Sequence, residues 1–212
     1  MALKSSKRRV ISKTAKPENS GTVDLVFSFD TTGSMYPCLT QVRRNVQNTV
    51  LTLFEQIPNL RIGIISHGDY CDGDRVITSL DLTDDCEAIC RFVEKAPSTG
   101  GGDADECYEL ALNHARTFSW TSGKNKAVVL IGDCGPHEKG YRYGSKNNDL
   151  DWKNELGLLL EAGIKVYPIQ ALGRKSYDSF YNTLARQSEV PKLTLPQFSE
   201  FFYYFFTNTF IS

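Results

Sequence analysis

Val23-Asp24-Leu25-Val26-Phe27-Ser28-Phe29-Asp30-Thr31-Thr32-Gly33-Ser34 joins a short apolar run to a polar, glycine-bearing loop. Residues 23–29 read as a buried strand that stops at Asp30. The next segment, residues 38–57, has apolar positions at Leu39, Val42, Val46, Val50, Leu53, Phe54 and Ile57. That spacing predicts a helix, which Pro58 ends. A second apolar strand follows at 60–66. A strand buried on both faces, then a helix, then another such strand, is the unit of a parallel sheet.

The same alternation continues along the chain. A short edge strand is expected at 75–80, a helix from Thr83 or Asp84 to Lys95, and a helix from Ala104 to Trp120. Residues 126–132 contain Ala-Val-Val-Leu-Ile, the most apolar strand of the chain. A polar loop at 134–148, a helix at 150–162, a strand at 164–172, a helix at 175–187, a strand at 190–195 and an aromatic closing helix at 198–210 complete the pattern. The expected fold class is α/β: a doubly wound, mostly parallel open sheet flanked by helices, with 126–132 near its middle. Ligands of such sheets bind at the carboxyl ends of the strands, where strand order reverses. The loops after residues 29, 66, 102 and 132 are therefore the candidate site.

Composition bounds the function. The chain has 212 residues, 41% of them hydrophobic, enough for one domain with a full core. No stretch approaches the roughly 20 apolar residues of a membrane span, and the first sixteen residues lack a secretory apolar region. Those sixteen hold Lys4, Lys7, Arg8, Arg9, Lys13 and Lys16 and no acidic residue, which leaves the remainder at about −7. We expect residues 1–20 to be a basic disordered tail and 21–212 the domain. Nucleic acid is an expected partner only through that tail, and no membrane partner is expected. The expected compartment is intracellular: the cytoplasm, or the nucleus if the tail acts as an import signal. The six cysteines then read as reduced thiols. A zinc site using Cys71 or Cys134 with His67 or His137 is the rival, though nothing in their spacing marks it.

Three of the loops are rich in hard oxygen ligands. Asp30, Thr32 and Ser34 alternate, so an extended loop points their oxygens one way. Thr99-Gly100-Gly101-Gly102-Asp103-Ala104-Asp105-Glu106 is the second loop, and Gly132-Asp133-Cys134-Gly135-Pro136-His137 the third. Carboxylates and hydroxyls suit a hard divalent cation, Mg²⁺ above all, or Mn²⁺ or Ca²⁺. His67, Asp69, Asp105 and His137 are expected at the rim or in partner contact. No phosphate-binding Gly-Lys-[Ser/Thr], no G-x-G-x-x-G and no G-x-S-x-G elbow occurs, so no catalytic residue is assigned.

At these residues the chain resembles the von Willebrand factor A family, also called the integrin I-domain family, over about residues 22–210. Asp30-Thr31-Thr32-Gly33-Ser34 is similar to the D-x-[ST]-G-S core of that family's metal-ion-dependent adhesion site (MIDAS). Asp133 resembles its second aspartate, and Asp103 falls where many members have threonine. The Gly-Gly-Gly-Asp loop followed by Glu, Asp69-Tyr70-Cys71-Asp72, and Leu130-Ile131-Gly132-Asp133 are closest in style to the hemicentin-like and α-kinase-linked members. The resemblance implies a Rossmann-like fold. It implies a metal site of Asp30, Thr32, Ser34, Asp103 and Asp133, and a protein partner that offers a carboxylate to the ion. A metal-assisted hydrolase with Asp69 or His137 as base is the alternative, as is a scaffold subunit of a larger complex.

Overall fold

A computed structural model describes residues 21–122 and 125–198. The strands are β1 (Val23–Asp30), β2 (Leu60–His67), β3 (Ile77–Thr83), β4 (Asn125–Gly132), β5 (Arg142–Tyr143), β6 (Lys146–Asn147), β7 (Ile164–Gln170) and β8 (Leu193–Thr194). The helices are α1 (Tyr36–Gln56), α2 (Cys86–Lys95), α3 (Tyr108–Ala115), α4 (Trp152–Glu161) and α5 (Asp178–Ser188). Six strands form one sheet in the order β3-β2-β1-β4-β7-β8. All neighbours are parallel except β2 and β3. β4 lies in the middle, between β1 and β7, as its unbroken apolar run requires.

Side-chain alternation along β1 divides the core. Val23, Leu25, Phe27 and Phe29 pack with α1 and α2 on one face of the sheet. Val26, Val128, Leu130 and Val166 pack with α3, α4 and α5 on the other. On α1, Leu39, Val42, Val46, Val50 and Leu53 are buried at the predicted spacing, each stabilising the fold by roughly 1.5–3 kcal/mol. Asp24 is fully buried in this apolar frame, and Arg61 satisfies it with two hydrogen bonds of 2.9 Å.

The structure departs from the sequence reading in three places. The helix expected from Ala104 spans only Tyr108–Ala115. The backbone before it is committed elsewhere: Glu106 N–H donates to the Gly135 carbonyl and Cys107 N–H to that of Gly68. The edge strand starts later than expected because a 3-10 segment, Tyr70–Arg75, precedes it. The polar loop at 134–148 folds back on itself as the β5–β6 hairpin. The basic tail and the helix expected at 198–210 fall outside the described residues, apart from Phe198.

After β1 the chain builds outward through β2 and β3. It then returns to β4 on the other flank of β1 and builds outward through β7 and β8. The strand order therefore reverses between β1 and β4. Asp30 closes β1, and Asp133 directly follows β4. The two carboxylates meet at the crevice where such sheets bind ligands.

Candidate metal centre

Asp30 is fully buried. Its Oδ1 accepts the Thr32 backbone N–H at 2.8 Å and the Thr32 hydroxyl at 2.7 Å. Its Oδ2 accepts the Tyr108 hydroxyl at 2.7 Å. Burial, reinforced by the nearby Asp133 charge, outweighs these bonds and pushes its pKa up to about 6. Ser34 crosses to the other strand end and donates to Asp133 Oδ1 at 2.8 Å, and its Oγ lies 3.5 Å from Thr32 Oγ1. Thus Asp30, Thr32, Ser34 and Asp133 form one connected group. Ligand atoms of Asp30, Asp133 and Cys134 all lie within 4.8 Å of one another.

Asp133 Oδ2 is buried and has no hydrogen-bond partner. The Arg174 Nε stands 3.0 Å from it as an ion pair, without hydrogen-bond alignment. Arg174 thus places a basic side chain beside this carboxylate cluster. Its side chain is half-exposed, and its Nη1 also lies 3.7 Å from Cys134 Sγ.

The second loop, Thr99 to Glu106, is where position in the sequence misleads. Asp103 is exposed, and its Oδ2 accepts the Tyr141 hydroxyl at 2.8 Å. It is not brought to Asp30. Glu106 is there instead. It is 3% exposed, and its Oε2 has no hydrogen-bond partner. A Cβ built on Gly101 would sit 2.7 Å from Glu106 Oε1 and 3.4 Å from the Thr32 Cβ, so Glu106 and Thr32 share one wall. Gly101 has φ of 78°, which also favours glycine. Burial, then the charges of Asp30, Asp69 and Asp72, push the Glu106 carboxyl up to about 9. The available signal in the sequence was a carboxylate directly before the apolar face of α3, three residues beyond Asp103.

The glycine loop itself is held by carboxylates. Gly100 N–H donates to Asp72 Oδ1 at 2.8 Å, and Gly102 N–H to Asp69 Oδ2 at 2.8 Å. These donors are spent on the protein's own acids, which accounts for a glycine run without phosphate-binding character.

The four residues expected at the rim are distributed differently. His67 is fully buried, its Nδ1 lies 3.2 Å from Ser28 Oγ, and burial lowers its pKa to about 3. Asp69 and His137 are also buried and are bonded to each other at 2.7 Å. Burial alone would lower the His137 pKa; the Asp69 bond and the charges of Glu109, Asp69 and Asp103 hold it above its ordinary value. Asp69 and His137 satisfy each other inside, whereas His67 Nε2 is buried without a hydrogen-bond partner. Asp105 is half-buried and lines a groove of about 290 Å³ with Trp152, Lys153 and Tyr177.

Residues 24–206 match the family model described as von Willebrand factor type A domain. The chain belongs to that family. Among curated proteins, this A-type domain is similar to the alpha-protein kinase vwkA of Dictyostelium discoideum, at 24% identity over 121 residues. The match covers 56% of this chain and 19% of the kinase, so the domain spans a small part of that relative's length. Among solved structures it is similar to the BatB protein of Bacteroides thetaiotaomicron, with a TM-score of 0.62 and 16% identity over 90% of this chain and 100% of that one. It is also similar to the pilus adhesin SpaC of Lactobacillus rhamnosus GG in its open conformation. That match has a TM-score of 0.55 and 17% identity, covering 73% of this chain and 24% of the adhesin. At these identities the structural matches establish the fold of the A-type domain. Among its described residues, no helix is long and apolar enough to cross a membrane.

Proposed function

We propose that this A-type domain is a metal-dependent protein-binding module. Asp30, Thr32, Ser34, Asp133 and Glu106 would hold one divalent cation, Mg²⁺ by the hardness of the donors, and a partner protein would engage it. The observation that carries this reading is the buried carboxylate oxygen Glu106 Oε2, without a hydrogen-bond partner beside the Asp30 group, together with Asp133 Oδ2, which has no hydrogen bond and only the half-exposed Arg174 as an ion-pair partner. Buried polar atoms are nearly always satisfied, and an all-oxygen donor set suits a hard cation. When bound, the ion supplies a positive anchor for an acidic side chain of the partner.

The chain's own residues prepare that role. Thr32 and Tyr108 fix both oxygens of Asp30, and Ser34 ties the β1 loop to Asp133. Relief of repulsion among the acids would make cation binding stabilise the fold by mass action. Asp103, exposed and bonded to Tyr141, belongs in this reading to the rim that a partner touches. The hydrolase alternative is less favoured: its two candidate bases, Asp69 and His137, are buried and bonded to each other.

Calorimetric titration with Mg²⁺ tests the metal set. Wild type should bind one ion, and Ser34→Ala and Glu106→Gln should each weaken binding by tenfold or more, about 1.4 kcal/mol. Glu106→Gln should raise the metal-free melting temperature at neutral pH, because the wild-type carboxyl, pushed up to about 9, has to take up a proton on folding and the amide does not. Equal Mg²⁺ affinity in Glu106→Gln would remove Glu106 from the set. Partner capture that is lost both in EDTA and in Asp30→Ala would support the binding role, and capture indifferent to both would reject it.

A further inference from the structure

A second group of metal-ligating side chains lies in the adjacent loops and takes no part in the site above. Asp69 Oδ1, Cys107 Sγ and a His137 ring nitrogen all lie within 4.8 Å of one another, and all three residues are buried. His137 Nε2 is 2.7 Å from Asp69 Oδ1, and Cys107 Sγ is 3.7 Å from the same oxygen. Cys71 borders the group: a Cβ built on Gly102 would touch Asp69 Oδ2 at 2.6 Å and Cys71 Sγ at 3.3 Å. We propose that Asp69, Cys71, Cys107 and His137 form a structural transition-metal site for Zn²⁺, separate from the oxygen-lined site at Asp30.

The chemistry selects the ion. Two thiolates, an imidazole and one carboxylate are borderline-soft ligands, which favour Zn²⁺ over Mg²⁺ or Ca²⁺. Metal–ligand bonds of roughly 2.0–2.3 Å in a tetrahedron place ligand atoms roughly 3.3–3.8 Å apart. The Cys107–Asp69 separation already falls in that range, and the His137–Asp69 pair has to open by about 0.6–1.1 Å. Metal entry releases the two thiol protons to solvent and moves the His137 ring proton to Nδ1. The two positive charges gained equal the two protons lost, so the buried region acquires no net charge. A surrounding shell is present: Glu109 Oε2 accepts the His137 backbone N–H at 3.1 Å, Glu109 Oε1 accepts the Tyr70 hydroxyl at 3.0 Å, and the Tyr141 ring stacks on the His137 ring at 3.7 Å. The Tyr141 stack fixes the plane of the His137 ring, and the Glu109 bond fixes its backbone.

The four ligands come from three separate loops. Asp69 and Cys71 follow β2, Cys107 precedes α3, and His137 follows β4. Zn²⁺ would therefore staple the segments that position Gly100–Gly102 and Glu106.

Cobalt substitution tests this directly. The metal-free full chain is titrated with Co²⁺ under reducing conditions and monitored for thiolate-to-cobalt charge transfer and for the intense visible bands of tetrahedral Co²⁺. One equivalent should produce both, and Zn²⁺ should abolish them. Cys107→Ser, Cys71→Ser and His137→Gln should each weaken or remove the signal. Asp30→Asn should retain it, which separates this site from the Mg²⁺ reading. The Cys86→Ser/Cys90→Ser double variant should also retain it, because those helix-borne thiols are the competing soft pair. Should Cys107→Ser not fold, the wild-type spectrum and the half-buried Cys71→Ser still decide. A wild-type titration without a thiolate band would overturn the proposal, as would a band that survives Cys71→Ser or vanishes with Cys86 and Cys90.

Discussion

Replacing Asp30 by asparagine should make the metal-free domain more stable at neutral pH while blunting its response to Mg²⁺. The Asp30 carboxyl is fully buried, and burial is the main cause of its rise from 3.8 to about 6. A carboxyl whose folded pKa lies above its unfolded pKa contributes favourably below the unfolded value, and that contribution is lost as pH rises through the folded one. At pH 7 and above, ionised Asp30 therefore costs about 3 kcal/mol, from a shift near two units at 1.36 kcal/mol each. Asparagine keeps the acceptor for both Thr32 bonds. Its amide meets the Tyr108 hydroxyl, whose proton can turn to Tyr181, 3.4 Å away. That long replacement bond forfeits about 1 kcal/mol. A net gain of about 2 kcal/mol should raise the melting temperature by roughly 4–8 °C for a domain of this size. The assay is thermal unfolding of both proteins in EDTA and in Mg²⁺ across pH. In EDTA the gain should be present at about pH 8, shrink below about pH 6 and be absent near about pH 4. A variant no more stable than wild type at the higher pH, or a gain that persists at the lowest, would refute the reasoning.

Gly132→Ala should destabilise the fold by roughly 1–3 kcal/mol in urea unfolding, the usual cost of overpacking. Its Cβ would fall 1.8 Å from the Tyr108 hydroxyl that anchors Asp30, so the Mg²⁺ response should weaken as well. Arg174→Met should tighten Mg²⁺ binding up to about fivefold in calorimetry, because a half-exposed ion pair of ~0–1 kcal/mol no longer competes for Asp133.

The parts of the site that sequence made legible are those fixed by strand ends. Asp30 and Asp133 terminate apolar runs, and a doubly wound sheet brings the carboxyl ends of its neighbouring central strands together whatever the loops do. Thr32 and Ser34 follow within four residues of Asp30, too short a tether to stray. The second loop, Thr99 to Glu106, has no such constraint. Its path is set by Asp69 and Asp72, about thirty residues earlier in the chain, which hold Gly100 and Gly102 by their N–H groups. A glycine-rich loop pinned from a distance can direct any of its side chains inward, and it directs Glu106 rather than Asp103. The buried trio of His67, Asp69 and His137 was missed for a related reason. Polar residues after strands read as surface unless their partners are known, and the partner of His137 is 68 residues away. The shortened α3 follows from the same contacts, since Glu106 and Cys107 give their N–H groups to other loops.

Counting acceptors oxygen by oxygen separates the acids that build the loops from those that await a ligand. Asp69 and Asp72 point both oxygens at donors: Tyr70, His137 and Gly102 for the first, Gly100, Gly101 and the Asp69 backbone for the second. Bonds to the charged form favour it, and the Asp69 pKa is lowered although burial opposes this. Asp133 and Glu106 each keep a buried oxygen without a hydrogen bond, and Glu106 is raised far above the carboxylate range. Asp69 is stabilised as an anion by the fold; Glu106 is not, so an added cation would favour its ionised form. The distinction also fixes how the two proposed sites differ. At Asp30 a cation would relieve repulsion among Asp30, Glu106 and Asp133 that Arg174 alone offsets only in part, so stability should respond to Mg²⁺ most where the acids are ionised. At Asp69 the anion is already compensated, and a metal there has to displace thiol protons instead. Zn²⁺ affinity at the second site should therefore rise with pH.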